Sequence, residues 1–274
     1  MGQVVCTLPE GRPVHGVTSL AGEVFVLRSK GERDQLEVYD RTTYRSLRCL
    51  TVPKIRGFVD MTSCEHYQCI YISYPAVLCI RRLDSQGVAT QWPINERPDG
   101  LSVNRANNLL VACWLVRKIK EFSTHGDLVR EITLPAAVNH PWHAIQLTSG
   151  QFVVCHGSLL RKDPVHRVCV LSADGREIVH SHGGQPGSDT DECNVPCRLA
   201  VDQNECVYVV DRNNHRVKLL SPTLRHICDV VTSDLLKGEP RRLCLGRTTG
   251  HLYVADNRKQ IGMDTVGRVV VFSV

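Results

Sequence analysis

The sequence predicts an all-β fold, a six-bladed β-propeller with four-stranded antiparallel blades, closed by an N-terminal strand that completes the last blade. Three observations lead there. Short apolar runs separated by polar turns recur along the whole chain. Their period is that of a propeller blade. The opening residues resemble the outer strand of an internal copy.

The recurring unit is an apolar strand, a polar turn, a second apolar strand, a loop, and two more strands. The clearest copy runs from Pro196 to Val231, and a second from Pro240 to the end. A third begins at DGLSVNRANNLLVAC, and weaker ones at GVTSLAGEVFVL, GFVDMTSCEHYQCIYIS and PWHAIQLTSGQFVVC. Taking Leu20, Met61, Val103, Leu147, Val201 and Leu245 as the last apolar residues of the first strands gives spacings of 41, 42, 44, 54 and 44. A four-stranded blade occupies ~40–45 residues. The long spacing contains HGGQPGSDTDECNVP, a Gly/Pro/Asp stretch that reads as a loop inserted before the fifth blade.

Within each copy the runs are short and rich in Val, Ile, Leu and Tyr, and DQNE, SADGRE, STHGD and TTGH separate them. This is the chemistry of strands and hairpins. No stretch sustains a helical period over three turns. GQVVCTLPEG resembles GDLVREITLP of the third copy, so residues 2–8 are expected to form the outermost strand of the last blade. Closure of that kind protects edges that an open array would leave bare. The whole chain, 1–274, reads as one propeller domain, expected to be monomeric.

Composition sets limits on function. With 42% hydrophobic and 22% charged residues the chain can bury a core, which argues against intrinsic disorder. A net charge of +5 permits a nucleic-acid partner without demanding one. No apolar run reaches the ~18 residues of a membrane span, and the start lacks a signal-like apolar region. Most of the 13 cysteines sit in apolar runs such as FVVC and RVCVL, as small buried hydrophobes do. So many thiols point to a reducing, cytoplasmic compartment. Cys64 with Cys69 and Cys193 with Cys197 are the two pairs placed closely enough to be exceptions.

YVVDRNNHRVKLL, residues 208–220, resembles the signature of NHL repeats, in which a strand ends in Val-x-Asp and Asn-His-Arg opens the next. LYVADNRKQ, residues 252–260, is a decayed copy. In a turn of this kind Asp211 is expected to accept backbone N–H groups, Asn213 and Asn214 to take left-handed angles, and Arg216 to pair with a neighbouring strand. The resemblance implies a propeller like those ending TRIM-type ubiquitin ligases, which bind single-stranded RNA or recognise protein substrates.

In a propeller the entries of the inner strands and the loops between second and third strands share one face. Here the entries read His15, Arg56, Asp99, His143, Arg198 and Arg242, with Trp142 beside His143. The loops contribute Tyr74, Trp114, Arg117, His156, Arg161, Arg212 and Arg258. Arginine pairs with phosphate and aromatic side chains stack on bases, while both also dominate protein hot spots. The expected partner is therefore single-stranded RNA or a protein, with no cofactor. A metal-dependent lactonase or lyase would need ligands such as His15, Asp99 and His143 to converge. Arg56, Arg198 and Arg242 would oppose a cation there, and no nucleophile elbow or phosphate-binding loop is present. The chain is expected not to be an enzyme.

Overall fold

Each repeat folds into one four-stranded antiparallel sheet, in a computed structural model that describes residues 2–30, 33–54, 59–84, 87–157, 164–246, 248–259 and 265–274. After β1 (Gln3–Thr7), the first blade is β2 (Val14–Leu20), β3 (Glu23–Lys30), β4 (Arg33–Asp40) and β5 (Ser46–Pro53). The second is β6 (Met61–Cys64), β7 (Cys69–Tyr74), β8 (Cys79–Asp84) and β9 (Ala89–Pro93). The third is β10 (Gly100–Val103), β11 (Leu109–Cys113), β12 (Lys118–Phe122) and β13 (Leu128–Thr133). The fourth is β14 (Pro141–Gln146), β15 (Phe152–Gly157), β16 (His166–Leu171) and β17 (Ile178–Gly184). The fifth is β18 (Pro196–Val201), β19 (Val207–Asp211), β20 (Arg216–Leu220) and β21 (His226–Val231). The sixth joins β22 (Glu239–Leu245), β23 (His251–Arg258) and β24 (Val266–Ser273) to β1.

The strand patterns follow from this stacking. Second strands are covered on both faces by neighbouring blades, so β7, β11 and β15 are buried along their whole length. That is why they read as continuous apolar runs. Outer strands β5 and β13 are largely exposed, and their sequences are mixed. The core is a ring of inter-blade clusters. Leu27 packs with Ile72 between blades one and two, and Tyr71 with Phe122 between two and three. Leu110 meets Phe152, and Val153 meets Val209, across the next two boundaries. Val210 with Val254, then Val26 with Val269, complete the circle.

Closure follows the expectation that the opening residues supply the outermost strand of the last blade. Val4 faces Phe272, Cys6 faces Val271 and Thr7 faces Val270, with a bulge between Val4 and Cys6. Leu8 N–H then donates to Val269 O at 2.9 Å, and the Leu8 side chain is buried. One anchor differs: Met61 opens β6 instead of ending its blade's first strand.

The NHL-like turn departs from expectation in two details. Asp211 Oδ1 accepts N–H of Asn194, from the loop entering the blade, at 2.6 Å. Its Oδ2 accepts from Asn214 Nδ2 and Arg216 Nε, each at 2.8 Å. The carboxylate thus clamps the entry loop to the turn. The left-handed residue is His215, at φ 51°, where Asn213 or Asn214 was expected; its own ring holds Gly238 O at 2.8 Å. Arg216 also reaches Asp229 on β21 at 3.2 Å, the neighbouring-strand pairing expected of it. Blade six repeats the clamp: Asp256 accepts from Lys237 N–H, Gly238 N–H and Arg268 Nε at 2.8–2.9 Å.

Cys64 faces Cys69 directly across the β6–β7 hairpin, both as thiols. Among the described residues no helix is long and apolar enough to cross a membrane.

Candidate recognition face

Four of the first strands carry a bulge just after they begin. It falls at Val14/Gly16, Pro141/His143, Pro196/Arg198 and Pro240/Arg242. A bulge turns the strand and re-aims the side chains that follow. Here it delivers His143, Arg198 and Arg242 to buried positions at the strand entries, where the carboxylate of Asp60 meets all three.

Asp60 Oδ1 accepts from Arg198 Nε at 3.1 Å and lies 3.6 Å from Arg242 Nε. Its Oδ2 accepts the N–H of Leu101 at 2.8 Å and lies 3.8 Å from His143 Nε2. Burial by itself would raise the Asp60 carboxyl, but Arg198, His143 and Arg242 outweigh it and hold it below the usual range. The guanidiniums spend their other N–H groups on carbonyls. Arg198 donates to Cys197 O at 2.6 Å and Trp142 O at 3.4 Å, and Arg242 to His15 O at 2.8 Å and Arg241 O at 2.6 Å. Arg242 also donates to Val59 O. His143 Nε2 donates to Leu101 O at 2.9 Å, and burial pulls its pKa down to about 4, leaving a neutral ring at pH 7. Gly100 makes this tightness feasible: a Cβ there would lie 2.2 Å from Trp142 O.

The expected open basic face is therefore not what these residues form. Arg198 is 4% exposed and Arg242 8%, and both belong to an internal ion-pair plug. His156 is fully buried, 3.4 Å from the Cys169 sulfur, and Tyr74 is buried under Arg81, whose Cζ lies 5.8 Å from its ring. Arg212 pairs with Glu239 at 2.7 Å and Arg258 with Glu10 at 2.6 Å. Arg56 and Arg161 lie outside the described residues. His15 is half-buried and also held to about pKa 4 by burial and the nearby Arg242. Asp99, instead of joining His15 and His143, pairs with Arg97 at 3.0 Å and accepts the N–H of Trp114 at 3.2 Å.

That last contact leads to the accessible part of the face. Trp114 stacks at a tilt on Trp142, centroids 5.5 Å apart, and on His140 at 4.8 Å. Arg97 lies over the Trp114 ring, Cζ 5.8 Å from its centroid, within cation–π range. Trp142 Nε1 donates to Gly157 O at 3.1 Å. Burial lifts the Asp99 carboxyl to about 6 despite Arg97. Immediately after Trp114 the loop exposes Leu115 (62%) and Val116 (39%). The equivalent loop of blade two exposes Val77 (68%) and Leu78 (40%). The segment entering blade three joins these loops. Ile94 N–H donates to Leu78 O at 2.8 Å, Glu96 pairs with Lys118 and Lys120, and Arg97 covers Trp114.

Of the residues nominated from sequence, the structure brings together Trp114 and Trp142, with Arg117 in the same loop as Trp114. It places Arg198, Arg242 and His143 together in the plug. Sequence reasoning missed Asp60, Arg97, His140 and the aliphatic tips. The tips carried a legible signal, since WLV and AVL are apolar at loop positions where the turn residues Gly, Asn and Asp are usual.

The architecture thus defines a six-bladed β-propeller, and comparison with known proteins agrees. No family model matches the chain, and no curated protein matches it. Solved structures do. A virginiamycin B lyase from Staphylococcus aureus, catalytically inactive and with quinupristin, is 10% identical with a TM-score of 0.62, each chain covered over 98%. A streptogramin B lyase is 12% identical, with a TM-score of 0.64 over 99% of this chain and 97% of that one. The Kuenenia stuttgartiensis hydrazine synthase is 14% identical, with a TM-score of 0.63 over 95% of each. At these identities the likeness shows the fold alone. It still corrects one expectation: lyases use this same six-bladed plan, so the architecture does not set the chain apart from enzymes, and catalysis is left open. The NHL resemblance rests on residues 208–220 and 252–260 and on no matching family.

Proposed function

We propose that this propeller is a protein-recognition platform, and that it grips an extended segment of its partner across the loops of blades two to four. The observation that carries this reading is the pair of aliphatic tips, Val77–Leu78 and Leu115–Val116, exposed on the equivalent loops of neighbouring blades, the second directly following Trp114 of the Trp114–Trp142–His140 stack. Contiguous exposed apolar groups rimmed by polar ones mark protein contact sites, and tryptophan is enriched at their energetic centres. Aliphatic tips offer no stacking surface to a base. Four of the arginines nominated for phosphate binding are spent within the protein, Arg198 and Arg242 in the plug and Arg212 and Arg258 on acids, which leaves Arg117 of that set among the described residues. This favours a protein over single-stranded RNA.

The test compares the whole chain with the Leu115→Ser/Val116→Ser variant, each immobilised and exposed to cell extract. A bound protein that survives nuclease treatment and is lost with the variant is the expected result. Bound RNA, removed by nuclease and held equally by the variant, would overturn the reading.

A further inference from the structure

We infer that the segment recognised on this face is acidic as well as apolar, an inference that rests on the platform reading above. The argument is one of charge. Around the tips of blades two and three stand the cations Arg81, Arg97, Arg117, Lys118 and Lys120. Asp99 answers Arg97, and Glu96 with Glu131 answers Lys118 and Lys120. Among the described residues no carboxylate pairs with Arg81 or Arg117. Arg81 lies over the Tyr74 ring at the base of the Val77–Leu78 loop. Arg117 follows Val116 at φ 53°, its carbonyl fixed by the N–H of Leu134 at 2.9 Å. Each aliphatic tip thus adjoins an arginine that has no carboxylate partner among the described residues, Arg81 on β8 and Arg117 next to Val116 in the chain.

The interior adds to the same sign. The plug at the strand entries holds two guanidiniums against the single carboxylate of Asp60, with His143 neutral. These guanidiniums are buried at the strand entries, on the face where the loops stand, where water screens them poorly. A basic segment would meet repulsion from both layers. An acidic one would gain a charge-assisted, two-pronged contact at each arginine. Trp114, Leu115 and Val116 supply the apolar seat between them. A peptide with one or two large apolar residues flanked by Asp and Glu fits both features.

Fluorescence anisotropy with three labelled nonapeptides tests this on the full chain. One has a Leu-Phe centre with Asp/Glu flanks, one the same centre with Lys flanks, and one a Gly-Ser centre with Asp/Glu flanks. The first is expected to bind about tenfold more tightly than either other, ~1.4 kcal/mol, and to weaken as salt rises. Arg117→Glu should cost the acidic peptide about tenfold and favour the Lys-flanked one. Equal or better binding of the Lys-flanked peptide, indifference to Arg117→Glu, or binding of none of the three at millimolar concentration would overturn the inference. The Leu115→Ser/Val116→Ser variant separates the two layers of argument. If it abolishes binding of both Leu-Phe peptides while flank charge is immaterial, the platform stands and its acidic preference falls. If it changes nothing, the platform itself falls.

Discussion

At the scale of single residues, the centre of the molecule is organised by Asp60. It is one acid shared by Arg198, Arg242 and His143, and its own N–H is held by Ser73 Oγ at 2.8 Å. Removing one member of a buried ion pair leaves the others unpaired, which costs ~3–5 kcal/mol. Asp60→Ala should therefore lower unfolding free energy by about that much in urea titration, and Asp60→Asn by less because it keeps the acceptor for Leu101 N–H. A loss below ~1 kcal/mol would mean the plug is not a structural ion pair. That His143, Arg198 and Arg242 share the strand entries was legible in the sequence, but their common acid was not. Asp60 and Arg198 are 138 residues apart, and their meeting depends on ring closure. The entry position of blade two was read at Arg56, four residues early, because the first strand there starts at Met61. Trp114 and Trp142 were legible, since an aromatic in a loop and another at a strand entry stand out among the polar residues of that face. Arg97 and His140 were not, because the path of the segment entering blade three lays Arg97 over Trp114 and the packing of blade four on blade three brings His140 there.

At the scale of elements, the repeat was legible because strands covered on both sides become continuous apolar runs at a fixed period. What was hidden is register. The bulges after Val14, Pro141, Pro196 and Pro240 insert one residue without changing composition, so they leave no mark on the pattern. They decide which residues point inward, and they turned the nominated Arg198 and Arg242 from surface ligands into buried ones. The Asp211 and Asp256 clamps show the opposite case, in which a short local motif carries its geometry with it. The Arg partner of Asp256 is nonetheless Arg268 on β24, and not Arg258, which pairs with Glu10. The closing strand is the element on which the ring depends. β1 covers the free edge of β24, and Leu8 packs into the cluster between blades six and one. Deleting residues 1–8 should lower Tm by ~10 °C or more and expose an edge prone to association. An unchanged Tm with a monomeric scattering profile would contradict that role.

At the scale of the whole molecule, buried histidines set the response to acid. His15, His143, His156 and His182 are each held by burial to about pKa 4. Their unfolded value is ~6.5, so the unfolded chain binds more protons as pH falls below that, and stability falls with it. At pH 5 the effect is roughly 2 kcal/mol for each fully buried ring. Asp99 acts in the other direction, because its folded pKa of about 6 lies above the unfolded carboxylate value and stabilises the fold as pH drops. Four imidazoles outweigh one carboxyl. Tm is therefore expected to fall steadily between pH 7 and pH 4.5, and Asp99→Asn to raise stability at pH 7. A Tm that rises across that interval would mean that carboxyl burial dominates.

The central claim is that the loops of blades two to four are where this propeller meets a protein. Site-specific photo-crosslinking tests it most directly, with p-benzoylphenylalanine placed at Leu115, or at His66 in the exposed turn at the other end of blade two. Irradiation in cells should join a protein to position 115 and little or nothing to position 66. RNA adducts at 115, or equal protein adducts at both positions, would contradict the claim.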